Sequence, residues 1–203
     1  MINQRTRQKD NTLGYYNDHA SEFYKSTVNV EFTTMQEQFL KKLEKGSYIL
    51  DFGCGSGRDT RCFLQKGYHV DAIDGSKELC KLASEFTGIE VKNMYFEELS
   101  EVNKYDGIWA CASILHLPID ELTKVMKKMV IALKENGIIY TSFKYGTFAG
   151  ERNGRFFTDM TEVTFAGFMK GIEDLEVEEQ WITSDARPGR GEEKWLNLIL
   201  RKK

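Results

Sequence analysis

A glycine-rich turn between a short apolar run and a helix limits this chain more than any other stretch. Tyr48-Ile49-Leu50 leads into Asp51-Phe52-Gly53-Cys54-Gly55-Ser56-Gly57, and Arg58-Asp59-Thr60-Arg61-Cys62-Phe63-Leu64 reads as the helix that follows. Glycines in such a turn let backbone approach a ligand closely, and the helix N-terminus offers unpaired N–H groups to an anion. The spacing narrows the ligand. A dinucleotide turn is G-x-G-x-x-G, which counted from Gly53 needs a glycine at 58, where Arg58 stands. The pattern present is D-x-G-x-G-x-G, with an acid closing the strand and the last glycine at 57. A second strand, Tyr68-His69-Val70-Asp71-Ala72-Ile73-Asp74, also ends in an acid. Asp74 can accept both hydroxyls of a ribose, as the acid of a dinucleotide site does. It therefore does not choose between nucleoside cofactors; the glycine spacing does.

From Gly46 onward strands and helices alternate, which predicts βαβ units and a parallel sheet. Strand one is Tyr48–Phe52 and strand two Tyr68–Ile73. Ser76 caps a helix that turns Leu79, Leu82, Ala83 and Phe86 inward. Strand three is short, near 89–93. Strand four, Tyr105 to Cys111, is an almost unbroken apolar run, as a strand buried on both faces should be. Behind Pro118, residues Leu122, Val125, Met126, Met129, Val130 and Leu133 keep helical spacing, and Asn136-Gly137 is expected to end that helix in a left-handed turn. Strand five spans Ile138–Phe143. A helix is expected near 162–170, and two last strands near 175–182 and 194–200. Ahead of the sheet, Leu13, Tyr16, Ala20, Phe23 and Tyr24 recur at helical intervals over 11–25, and Phe32, Met35, Phe39, Leu40 and Leu43 do so over 31–43. Residues 1–10 are polar and read as a frayed, solvated tail.

Charge is nearly balanced, Lys+Arg 28 against Asp+Glu 31, so no global field draws the chain to nucleic acid or membrane. The four cysteines, Cys54, Cys62, Cys80 and Cys111, form no C-x-x-C pair, so neither a zinc site nor a disulfide framework is indicated. A reducing cytoplasm fits them. The N-terminus has no apolar leader, and no apolar stretch approaches the roughly twenty residues of a membrane span. The 203 residues are expected to form one domain.

In an open parallel sheet, ligands sit outside the carboxyl ends of the strands. After strand two stand Asp74, Gly75 and Ser76. After strand three, Met94 and Phe96 are apolar groups suited to flank an adenine, with core packing as the rival reading. After strand four comes the passage Ala110-Cys111-Ala112-Ser113-Ile114-Leu115-His116-Leu117-Pro118. The segment after strand five, 144–158, is expected to be a long irregular loop, and such loops in compact domains tend to be functional. If the last two strands pair as an antiparallel hairpin, their connection, 183–191, lies on the same side, and the two loops then bring Arg152, Arg155, Arg187 and Arg190 to one mouth. Arginine's planar fork matches carboxylate and phosphate oxygens; ordinary surface pairing with Glu151, Asp159, Glu192 and Glu193 is the competing reading.

The turn at 51–57, the acid Asp74 and the passage 106–118 together resemble class I S-adenosylmethionine-dependent methyltransferases, over roughly residues 11–200. Within that class the chain is similar to the small-molecule, tellurite-resistance-like branch. The resemblance implies a three-layer α/β fold around a doubly wound, seven-stranded sheet of order 3-2-1-4-5-7-6, strand seven antiparallel. It implies S-adenosyl-L-methionine as cofactor, contacted by Asp51, Gly53, Cys54, Gly55, Gly57, Asp74, Gly75, Ser76, Met94, Phe96 and Cys111. Relatives often carry an acid after strand three to receive the adenine amine; here Asn93 or a backbone carbonyl would serve. Residues 11–45 then correspond to an N-terminal helical lid before a core of 46–203, with Tyr15, Tyr16 and Tyr24 at the position of a cofactor-covering tyrosine. His116 would lie near the sulfonium, where an imidazole can act as general base; lining the site or bonding loop backbone is its plainer role. Methyl transfer needs mainly alignment and exclusion of water, so the lack of a catalytic dyad is no objection.

Two other classes stay open on the sequence. A nicotinamide-dependent oxidoreductase is disfavoured by Arg58 and by the lack of a Tyr-x-x-x-Lys pair. A non-catalytic cofactor-binding regulator would keep the same glycine turn. Nucleic acid as acceptor is disfavoured by the absence of an Asn/Asp-Pro-Pro-Tyr/Phe motif.

Overall fold

The computed structural model describes the backbone of residues 4–203 and side chains from Asn11 onward. The layering follows from alternate apolar positions on the central strands. On β1 (Tyr48–Phe52), Leu50 and Phe52 pack into one core while Ile49 packs into another. On β4 (Tyr105–Ala110), Ile108 and Ala110 take the first side and Trp109 the second. Neighbouring residues point to opposite faces of a strand, so a strand buried on both sides must be apolar throughout.

The first face is covered by α6 (Ile119–Ala132), whose Leu122, Val125, Met126, Met129 and Val130 enter the same core, and by Phe165 of α7 (Glu162–Met169). The second is covered by Phe39 and Leu40 of α3 (Thr33–Leu40) and Phe63 of α4 (Arg58–Gln65). A smaller cluster joins Cys80 and Ala83 of α5 (Lys77–Thr87) to Ala72 of β2 (His69–Asp74) and Val91 of β3 (Val91–Asn93).

The sheet has seven strands in the order β3-β2-β1-β4-β5-β9-β8, where β5 is Leu133–Lys144, β8 Leu175–Ser184 and β9 Lys194–Lys202. The first five are parallel, and β9 runs antiparallel to both neighbours. This is the strand order that the resemblance implies, with the last strand of the chain antiparallel. Strand order reverses beside β1, leaving a crevice at its carboxyl end where the glycine turn lies.

Several boundaries differ from the sequence reading, each for a local reason. The stretch 11–25 is two helices, α1 (Gln4–Asp18) and α2 (Ala20–Thr27), separated at His19, which leaves helical geometry. The expected frayed tail is therefore helical from Gln4, and residues 1–3 lie outside the described residues. Asn136-Gly137 does not end α6. The helix stops at Ala132, Leu133 turns extended and buries fully, and Asn136 takes its left-handed φ of 61° where the β4–β5 register shifts.

The segment expected to be an irregular loop after β5 holds a hairpin, β6 (Ala149–Arg152) and β7 (Arg155–Thr158). Asn153 and Gly154 form its tip with φ of 51° and 76°. An Asn-Gly tip with both residues left-handed matches the twist of paired strands, and that dipeptide was the signal for the hairpin. Among the described residues no helix is long and apolar enough to cross a membrane.

Candidate functional site

The glycine turn is fixed from both sides. The amides of Gly53 and Cys54 both donate to the Ile73 carbonyl, at 3.0 and 2.9 Å, tying the turn to β2. The Ser113 hydroxyl donates to the Phe52 carbonyl at 2.6 Å, tying it to the end of β4. Gly53 sits at φ 87°, and a Cβ there would come within 2.5 Å of Ser113 Cβ, so no side chain fits. Gly57, at φ 78°, opens α4 so close to α5 that a Cβ would meet Thr87 Cγ2 at 2.8 Å.

Asp74 joins the turn to β2. Its Oδ2 accepts the Gly55 amide at 2.9 Å and its Oδ1 the Ser76 amide at 2.8 Å. Burial raises its pKa, and those two amides oppose the rise. A carboxylate has about four lone-pair sites, so two remain for hydroxyl donors. Asn93 is engaged elsewhere: its amide donates to the Asp74 and Gly75 carbonyls.

A cavity of about 250 Å³ opens above this turn. Of the residues expected to contact the cofactor, Tyr16, Gly53, Cys54, Gly55, Asp74, Gly75, Met94, Phe96 and Cys111 line it. Four others do not. Asp51 lies beneath the turn, buried and accepting the Thr60 hydroxyl at 2.5 Å; Gly57 and Ser76 act at helix starts; Tyr24 packs on Phe86 at 5.9 Å. Tyr15 is also off the cavity, stacked beneath Arg155 at 4.3 Å. Burial, then the neighbouring Asp59 charge, pushes the Asp51 carboxyl up to about 8. Asp59 is held low despite burial, because Arg58, Gln36 and Trp109 all donate to it.

The N-terminal helices form the cavity's cover. Asn17 Oδ1 accepts the Ser76 hydroxyl at 2.8 Å, and Leu13 presses on Gly75, where a Cβ would lie 2.6 Å from Leu13 Cδ2. Phe23 stands over Gly55 in the same way, at 3.0 Å. On the other side Thr12 accepts the Phe156 amide at 3.1 Å, so α1 touches both the turn after β2 and the hairpin. Thr12, Leu13, Phe23 and Phe32 all line the cavity. Their spacing reads as a helix packing on a sheet; only the tertiary placement turns it toward a ligand.

His116, in the passage after β4, also lines the cavity. Its Nδ1 lies 2.6 Å from the Phe156 carbonyl and its Nε2 2.8 Å from the Tyr16 hydroxyl. A carbonyl only accepts, so Nδ1 carries the proton, Nε2 accepts, and Tyr16 donates. Burial, more than the nearby Arg155, Arg152 and Lys144 charges, lowers His116 to about 4. Burial likewise raises Tyr16.

Arg155, Arg187 and Arg190 reach the cavity; Arg152 does not. Arg152 is bound to Asp159 at 2.5 Å, Arg187 to Asp185 at 2.5 Å and Arg190 to Glu193 at 2.6 Å. Glu193 also takes Lys144, another lining residue. Burial works against Asp185, but the Arg187 fork and amide hold its carboxyl at about 2. Arg155 has no carboxylate partner among the described residues. Its Nε is buried without a hydrogen-bond acceptor, and its NH1 lies 3.4 Å from the Tyr16 oxygen. Surface pairing thus accounts for three of the four arginines. Lys144 and Ser142, at the end of β5, and Asn197 on β9 complete this end of the cavity and carried no motif in the sequence.

Residues 49–137 match the methyltransferase domain family. The chain is 37% identical over 100 residues to N-terminal Xaa-Pro-Lys N-methyltransferase 1 of Xenopus tropicalis, covering 45% of each. To an uncharacterized methyltransferase of Staphylococcus carnosus it is 25% identical, over 75% of this chain and 81% of that one. The chain spans less than half the length of several curated relatives it matches. In fold it resembles 1,6-didemethyltoxoflavin-N1-methyltransferase of Burkholderia thailandensis, solved with 1,6-didemethyltoxoflavin and S-adenosylhomocysteine. The TM-score is 0.82 at 18% identity, covering all of this chain and 92% of the other.

Proposed function

We propose that this chain is a class I S-adenosylmethionine-dependent methyltransferase and that it methylates a small anionic acceptor held by Arg155. The observation that carries the acceptor reading is the guanidinium itself. It faces the cavity with no carboxylate partner among the described residues and a buried Nε lacking an acceptor. Burying such a group is costly unless it is paired, and a bound carboxylate or phosphate supplies the partner.

The residues present suit the cofactor. Asp74 keeps lone pairs for ribose hydroxyls, the turn carries no side chain at Gly53 or Gly55, and Met94 and Phe96 offer apolar walls for an adenine. When bound, S-adenosyl-L-methionine supplies an electrophilic methyl group on sulfur. The protein's part is then to bind, align and exclude water. We read the chain as one methyltransferase domain, 1–203, in which α1 and α2 form a lid. Tyr16 covers the cavity, and among the described residues His116 is the imidazole that lines it. A small acceptor agrees with the cavity volume and with the small molecule held by the Burkholderia relative. The four cysteines are free thiols, which suits the cytoplasm.

A screen of carboxylate and phosphate metabolites with methyl-labelled cofactor, reading transferred label, tests this. Label should pass to one anionic class in the wild type and drop sharply in Arg155→Gln. Transfer confined to neutral or cationic acceptors refutes the anionic reading.

A further inference from the structure

Four groups from three elements are chained at the acceptor end of the cavity. The Phe156 carbonyl fixes the His116 Nδ1 proton at 2.6 Å, which leaves Nε2 to accept the Tyr16 hydroxyl at 2.8 Å. Arg155 NH1 donates to the same Tyr16 oxygen at 3.4 Å. Tyr16 lines the cavity, so a remaining lone pair of its oxygen is available to a proton donor there. Nothing in cofactor binding requires a tyrosine hydroxyl to be backed by a buried, single-tautomer imidazole.

We infer that Tyr16 and His116 form a proton relay for the acceptor, held idle by Arg155 until the acceptor's own anionic group pairs with that guanidinium. The inference rests on the anionic-acceptor reading and adds the nucleophile's class: a nitrogen or oxygen that still carries a proton. As the acceptor lone pair forms its bond to the methyl carbon, the carbon–sulfur bonding pair returns to sulfur. The acceptor's proton passes to Tyr16 Oη while the Tyr16 proton passes to His116 Nε2. The resulting imidazolium keeps its Nδ1–H···O=C bond to Phe156 and later gives its proton to water. Tyr16 returns to its neutral form within the step, so no buried phenolate is left beside His116.

The charges facing His116 explain the gating. Arg155 on β7, Arg152 on β6 and Lys144 on β5 all disfavour an imidazolium, with Tyr16 the titratable neighbour from α1. Arg152 and Lys144 are offset by Asp159 and Glu193. Arg155 alone of the three lacks such an offset among the described residues, so an anion placed on it removes the largest uncompensated repulsion.

The chain has three histidines, so nitrogen-15 ring spectra of the full chain, saturated with S-adenosylhomocysteine, resolve His116 by comparison with His116→Gln. Sulfate serves as the probe anion because its charge is fixed across the titration. Calorimetry should show sulfate binding, and the His116 midpoint should then rise by roughly one unit or more. In Arg155→Gln the midpoint should already be raised and sulfate should leave it unchanged. Tyr16→Phe should move the Nε2 resonance and leave the Nδ1–H tautomer in place. Absence of sulfate binding overturns the anion site, and the relay with it. Sulfate binding with an unmoved His116 midpoint overturns the relay alone, as does an Nε2 resonance indifferent to Tyr16→Phe. Should Arg155→Gln fail to fold, the wild-type sulfate titration decides by itself.

Discussion

Asp74 reaches back to accept the Gly55 amide at 2.9 Å, so the residue proposed to hold a ribose also shapes the glycine turn. With the Ser76 amide on its other oxygen, it joins β2, the turn and the start of α5 into one unit.

Asp74→Ala should therefore lose on two measurements. Affinity for S-adenosylhomocysteine should fall by about 1.5–3 kcal/mol through the lost charge-assisted bonds. Thermal stability should also fall, because two amides are left without an acceptor. Calorimetry and melting curves separate the two effects, and unchanged cofactor affinity would remove Asp74 from the site.

Cofactor choice follows from the turn's spacing. The protein should bind S-adenosylhomocysteine at micromolar or tighter levels and show no competition from NADH. Gly53→Ala places a Cβ 2.5 Å from Ser113 Cβ at φ 87°, and should weaken both binding and stability. The left-handed backbone alone costs about 1–2 kcal/mol for a side chain.

Once an acceptor is identified, Arg155→Lys should raise its KM while sparing cofactor affinity, since the charge stays and the fork is lost. Arg187 behaves differently. Its fork is spent on buried Asp185, so Arg187→Ala should lower stability by about 1.5–3 kcal/mol. Its effect on KM should be smaller than that of Arg155→Lys. Steady-state kinetics and denaturation on the two variants check the contrast.

Asp51 predicts a pH dependence of opposite sign to the usual salt-bridged carboxylate. Its folded pKa, raised to about 8 by burial and by Asp59, lies above the unfolded value of about 3.9. Between these values the folded state binds the extra proton, so this residue's contribution to stability falls as pH rises through that window. Asp51→Asn keeps an oxygen for the Thr60 hydroxyl and removes the titration. Its melting temperature should exceed the wild type's at pH 8 and converge with it near pH 4; a lower value at pH 8 would refute the assignment.

Deleting residues 1–18 removes Thr12, Leu13, Tyr16 and Asn17 from the cavity and its rim. The remaining sheet should fold, with much weaker S-adenosylhomocysteine binding by calorimetry. Equal affinity would reduce α1 to packing.

The sheet and its ligand edge were legible in the sequence because both rest on local chemistry. Apolar runs on β1 and β4 require burial on two faces, and glycines at 53, 55 and 57 require a turn that no side chain can occupy. Where α6 ends was not legible, since the burial of Leu133 overrode the Asn136-Gly137 stop signal. Nor was the depth of Asp51, which depends on Thr60 nine positions on along α4. The roles of the four arginines were least accessible. Sequence placed them at one mouth, but whether a guanidinium is spent or free depends on which carboxylate folds beside it. Asp159, Asp185 and Glu193 take three of them, and the hairpin turned at Asn153-Gly154 carries Arg155 to Tyr16, 139 positions away. Pairing of that kind is a property of distance in space, and only the tertiary structure sets it.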